Sequence, residues 1–104
     1  MPDAPTNFTR FVETTPALIP TVAADVVAQD AWIEQVNFCN TTGADITVTV
    51  LDKQGTPRAA LDTFVVPSRD AVVISFNRRF MPGGINWAAS ATNLVGYIRY
   101  GLVS

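Results

Sequence analysis

The sequence predicts an all-β fold: an antiparallel β-sandwich or jelly roll of seven to eight short strands behind an N-terminal arm. Two period-two stretches carry this reading. In Asp45–Leu51, Ile46, Val48 and Val50 alternate with Thr47 and Thr49. In Ala71–Asn77, Val72, Ile74 and Phe76 alternate with Val73, Ser75 and Asn77. That is the pattern of a strand with one face buried and one exposed. The third observation is the recurrence of turn signals at roughly ten-residue intervals, the spacing of a sandwich or jelly roll.

The clearest local unit is a hairpin over Trp32–Asp52, turning at Asn40-Thr41-Thr42-Gly43, where Asn and Thr side chains can bond the local backbone and Gly43 can take positive φ. Its first arm, Ala31–Cys39, has a parity conflict. Ile33 and Val36 are three apart, so a flat strand sends them to opposite faces. A bulge near Glu34-Gln35 turns both inward; otherwise Ile33 faces a neighbouring subunit. Cys39, beside Phe38, reads as a small core hydrophobe.

Upstream, Met1–Thr6 with Pro2 and Pro5 reads as a loose arm, and Asn7–Thr15 as an imperfect strand. Pro16 and Pro20 bracket Ala17-Leu18-Ile19 and argue against a central strand there. Thr21–Ala28 is read as a strand, since Val22, Val26 and Val27 outweigh its alanines. The domain division is therefore an arm over 1–20 and a sandwich over 21–104. Downstream, Lys53–Arg58 is a surface loop, Ala59–Val66 a strand and Val66–Arg69 a turn. Met81-Pro82-Gly83-Gly84 fits a type II turn with positive φ at Gly83, and Gly84→Ala is expected to cost less than Gly83→Val if Gly84 has already re-entered the β region. Ile85–Ala91 is the next strand, Thr92-Asn93 reverses the chain, and Leu94–Val103 closes it. This last strand is apolar on both faces except at Arg99, which places it centrally or against a partner.

The 104 residues make one domain, and a content of 48% hydrophobic residues supplies a core without staples. The charged fraction is only 15% and mean hydropathy is +0.23. Two explanations stay open: a small domain rich in Val, Thr and Ala, or a surface covered by other subunits. No apolar run approaches the ~18 residues of a membrane helix. Net charge −2 gives no pull toward nucleic acid or anionic membrane. No basic, apolar leader is visible, so the chain is expected to be made in the cytoplasm without a signal peptide. For that reason the sequons Asn7-Phe8-Thr9 and Asn40-Thr41-Thr42 read as chance.

No histidine is present. That removes Ser-His-Asp and Cys-His catalysis and the commonest zinc ligand. Asp52, Asp62 and Asp70 sit at strand ends, where Asp closes turns, and no Asp-x-Asp-x-Asp run marks a calcium loop. The chain is read as a non-enzyme with no cofactor and no metal.

From Val66 to Leu102 the order of features, Val-Pro-Ser-Arg-Asp-Ala-Val-Val-Ile, then Phe80–Ala91, then Val95-Gly96-Tyr97-Ile98, together with Val36–Thr49 and its Asn40–Gly43 turn, resembles small β-sandwich virion proteins of tailed bacteriophages. The resemblance covers about two thirds of the chain, from Ala31 onward. It implies a capsid decoration, head-fibre or tail-associated structural protein, located in the virion, assembling as a homo-oligomer (often a trimer) and contacting other virion proteins. The contact residues expected are Phe8 and Phe11 on the arm, Arg78, Arg79, Phe80 and Met81 at a corner, and Trp87, Arg99 and Tyr100. Arg78-Arg79 reads either as a solvated corner or as an interface anchor. The alternative function is a carbohydrate- or receptor-binding module built on Trp87 and nearby tyrosines; an exposed aromatic row distinguishes it from the structural protein.

Overall fold

The computed structural model describes residues 11–52 and 63–103, and these contain strands and turns but no helix. Nine strands follow in order: β1 (Val12–Glu13), β2 (Ala17–Leu18), β3 (Ala24–Val27), β4 (Ala31–Asn40), β5 (Ile46–Asp52), β6 (Thr63–Val66), β7 (Asp70–Met81), β8 (Ile85–Ala89) and β9 (Leu94–Leu102). One sheet has the order β1-β9-β4-β7, with β2 sharing the β1 edge of β9; the other has the order β3-β8-β5-β6. All pairings are antiparallel. The pairs nest: β5 with β6, β4 with β7, β3 with β8, and β1 and β2 with β9. A long hairpin rolled over itself in this way is a jelly roll.

The alternation predicted for Asp45–Leu51 sets the core. Ile46, Val48 and Val50 point inward from β5 and are almost wholly buried. They meet Ile33, Val36, Phe38, Leu94 and Ile98 from the other sheet. β9 is central in its sheet, flanked by β1 and β2 on one side and β4 on the other.

The parity conflict in β4 is resolved by a bulge. Ile33 pairs Tyr100, but Gln35 pairs Arg99, so Glu34 is the extra residue against β9. Ile33 and Val36 are then both buried. Against β7 the excess lies on the other strand: Ile33 pairs Arg79 and Gln35 pairs Ser75, leaving Phe76–Arg78 opposite Glu34. Asn77 and Arg78 absorb this with φ of 55° and 60°, values uncommon for non-glycine residues.

Three expectations are corrected. The Trp32–Asp52 unit is not a hairpin: β4 and β5 lie in opposite sheets, and Asn40–Gly43 turns an inter-sheet corner. Period two shows which face is buried, not which strand lies alongside. Cys39 is exposed, because the same alternation that buries Phe38 turns its neighbour outward. Gly84 has not returned to the β region; its φ is 131°. The type II turn itself stands, with Gly83 at φ 78° and the Gly84 N–H donating to the Met81 carbonyl at 3.2 Å.

Four further readings lie wholly or partly outside the described residues: the Met1–Thr6 arm and the Lys53–Arg58 loop entirely, the strand Asn7–Thr15 as far as Arg10, and the strand Ala59–Val66 except for β6. The segment 1–20 is built into the sandwich wherever it is described. β1 and β2 complete the first sheet, and Ile19 is 2% exposed in the core. The two strands are separated by a bulge: Glu13 opposes Arg99 and Ala17 opposes Gly96, one residue out of step, at Thr15-Pro16. A proline fits there because the bulge needs no ladder N–H.

Candidate interaction surface

The outer face of the β1-β9-β4-β7 sheet follows from register and parity. One row across it holds Leu18, Val95, Cys39 and Ala71. The next holds Tyr97, Asn37 and Val73, with Pro16 at its edge. These two rows contain no charged residue, and Leu18 and Val73 are 63% and 59% exposed. Between them lies a shallow depression of about 260 Å³ lined by Pro16, Asn37, Cys39, Ala71, Val73 and Tyr97. It is smaller than the usual range of small-molecule pockets.

The other half of the face is charged and aromatic. Arg99 comes from β9 and Arg78 from the β7 bulge. Both guanidinium groups lie over the Phe11 ring, at 5.9 and 5.4 Å from its centroid. Glu13 pairs with Arg99 at 3.6 Å, and Glu34 sits 4.0 Å from Arg78. Two carboxylates thus balance two guanidiniums around one ring. Trp32 and Phe80 meet at a tilt beside this group, with ring centroids 5.3 Å and ring planes 53° apart.

Of the anticipated contact residues, Phe11, Arg78 and Arg99 converge, and Phe80 lies on the same face. Phe8 falls outside the described residues. Arg79 faces the interior side, its guanidinium 5.7 Å from the Phe76 ring. Three others serve the core. Met81 is 1% exposed, Trp87 is buried with its ring 6.4 Å from Phe38, and Tyr100 packs against the core cluster. Their strand parity turns them inward, so Met81 and Trp87 offer no contact surface. Reasoning from sequence missed Glu13, Glu34 and Trp32 because their role depends on the β4 and β7 bulges. It missed Leu18, Cys39 and Val73 because their exposure follows from parity only once the inner face is known.

Among the described residues no group of three or more Cys, Asp or Glu side chains is placed to hold a metal ion. Nor is any helix long and apolar enough to cross a membrane.

No family model and no curated protein matches the chain. A solved structure does: a chain from the work described as "Bacillus endospore appendages form a novel family of disulfide-linked pili" superposes with a TM-score of 0.50, at 16% identity, over 100% of this chain and 97% of that one. At this identity the likeness is one of fold, and the chain shares an all-β sandwich with a pilus subunit.

Proposed function

We propose that the chain is a non-enzymatic structural subunit that assembles from copies of itself into an extracellular or particle-borne structure. The observation that carries this is the free edge of β7. Among the described residues its only sheet partner is β4. Edge strands of monomers are normally blunted by Lys, Pro, bulges or inward charges. Over Asp70–Phe76 the edge has none of these beyond the terminal Asp70, and Val73 is 59% exposed. The blunting devices, a bulge and two arginines, begin only at Asn77. The apolar half of the outer face adjoins this unprotected stretch. A strand from a second copy fits there, with backbone pairing supplying affinity and apolar burial adding about 25 cal/mol per Å² before ordering costs.

The finer reading is a virion protein, either capsid decoration or tail-associated, working as a homo-oligomer such as a trimer beside other virion proteins. The pilus neighbour supports assembly outside the cell in general rather than a phage in particular. It also suggests a contrast in chemistry. That neighbour is described as disulfide-linked, whereas this sequence contains one cysteine, so a copy can form at most one interchain disulfide. Disulfides at Cys39 alone join copies in pairs and do not make a filament covalently continuous. The carbohydrate-binding alternative loses its platform, because Trp87 is buried.

Sedimentation velocity over a concentration series tests the proposal. The wild type should populate oligomers, while Val73→Lys, altering an exposed side chain at a cost within ~0.5 kcal/mol of stability, should remain monomeric. A wild type that is monomeric at every concentration would overturn self-assembly. Oligomers unchanged by Val73→Lys would remove the β7 edge from the interface.

A further inference from the structure

We infer that β1 is a removable strap over the edge of β9, latched by Phe11, and that the edge it uncovers accepts the same segment of a second copy. The attachment is local and shallow. β1 is two residues long and both are exposed. The Thr15-Pro16 bulge separates it from β2, whose neighbour Ile19 is anchored in the core. The strap can therefore lift without drawing β2 or Ile19 with it. The side-chain contacts it makes with Arg78 and Arg99 are of the weak surface kind. The Glu13–Arg99 pair has side chains 53% and 41% exposed, and the ring–guanidinium contacts on Phe11 lie at the sheet surface.

Thr14 closes the hinge in an unusual way. Its N–H donates to the Ile98 carbonyl at 2.9 Å, but the Ile98 N–H is received by the Thr14 hydroxyl Oγ1, at 3.0 Å, rather than by a backbone carbonyl. Because bonding pairs alternate along an antiparallel ladder, Val12 and Tyr100 form the next such pair. Lifting the strap thus frees edge groups at Ile98 and Tyr100 together with the Arg78 and Arg99 guanidiniums that lie against the Phe11 ring.

What fits that opening is defined chemically. It needs an aromatic ring in contact with two guanidiniums, a carboxylate two residues later for Arg99, and a hydroxyl one residue after that for the Ile98 N–H. Phe11-Val12-Glu13-Thr14 has that spacing. The same four residues of another copy satisfy every group, so reciprocal exchange costs little once the strap is open. This second half rests on the self-assembly reading; the strap itself does not.

Native-state hydrogen exchange on the full chain tests the strap. The Ile98 and Tyr100 amides should exchange by a local opening insensitive to low urea, while Val36 and Ile74 follow global unfolding. Phe11→Leu, which keeps apolar bulk but removes the ring face, should speed Ile98 and Tyr100 roughly fivefold and leave Val36 and Ile74 unchanged. If Ile98 and Tyr100 exchange only with Val36, the strap is not separable and the inference fails. Isotope-filtered NMR on an oligomeric fraction mixed from labelled and unlabelled chains tests the exchange. Contacts between the Phe11 ring of one copy and Arg99 of another are expected. Oligomers without them would overturn strand exchange while leaving self-assembly standing, and absence of any oligomer would overturn both.

Discussion

Gly84→Ala is expected to destabilise the protein by about 3–5 kcal/mol, far beyond what one added methyl group normally costs. Two effects add. At φ 131° the backbone lies where L-residues with a Cβ rarely go. A Cβ built there falls 2.0 Å from the Val27 carbonyl oxygen and 3.2 Å from the Gln29 backbone nitrogen. Both obstacles are main chain, so no rotamer change relieves the overlap. The turn is also tied down from outside, because the Gly83 N–H donates to Asp30 Oδ1 at 2.6 Å. To admit the methyl group, the end of β3 must part from the start of β8 at the Val27–Ile85 pair. Thermal melts should show a fall of roughly 15–30 °C for Gly84→Ala. Gly83→Val, strained by φ 78° at the third turn position, should cost about 1–3 kcal/mol. A Gly84→Ala protein melting above Gly83→Val would mean that β3 does not approach the turn this closely.

Asn40→Asp is the second large expected effect, about 2–4 kcal/mol at neutral pH. Asn40 is 1% exposed, and both ends of its amide are used. Nδ2 donates to the Ala44 carbonyl at 2.8 Å and to the Val66 carbonyl at 3.0 Å. Oδ1 accepts from the Thr42 N–H at 2.9 Å and from the Thr42 hydroxyl at 2.7 Å. One side chain therefore shapes the β4–β5 corner and fastens it to the end of β6 in the opposite sheet. Aspartate keeps the acceptors for Thr42 but loses both donors, setting a carboxylate against two carbonyl oxygens. Asn40→Ala removes the charge problem but takes away the bonds to the Val66 carbonyl and the Thr42 N–H, while the Thr42 hydroxyl still donates to the Ala44 carbonyl at 3.0 Å, so it should fall between wild type and Asn40→Asp. Urea denaturation of the three proteins checks the order. Equal midpoints for Asn40→Asp and wild type would show that the corner does not depend on this amide.

The Asn40 corner also shows what the sequence could and could not convey. Side-chain alternation made the inner faces of β5 and β7 legible, and the spacing of Ile33 and Val36 required the β4 bulge. Pro82-Gly83 marked the type II turn, and the prolines at 16 and 20 marked an edge. These are local rules, each readable within a few residues. Strand partnership is not local. Ile46–Asp52 pairs with β6 and β8 rather than with the strand before it, and nothing in the alternation of Thr and Val distinguishes the two arrangements. The candidate interaction surface was anticipated by residue type at Phe11, Arg78 and Arg99. Their convergence on one ring depends on two register shifts in different strands. Trp87 carries the same composition signal as a surface anchor, yet its parity within Ile85–Ala89 buries it.

The nested pairing of the strands also governs when the protein can fold. β5 and β6 are close neighbours in sequence, but each further layer closes a longer loop, and the Thr14–Ile98 bonds join residues 84 positions apart. Such distant pairings put folding at the slow end for small domains, on the order of milliseconds to seconds. During synthesis, at about 5–20 residues per second, β4 waits for β9 as well as β7 before its sheet is complete. Until residue 102 has left the ribosome, β4 has one bare edge and the inner faces of both sheets are incompletely covered. The nascent chain therefore spends seconds as an open half-sandwich with apolar strands exposed, a natural client for a holding chaperone.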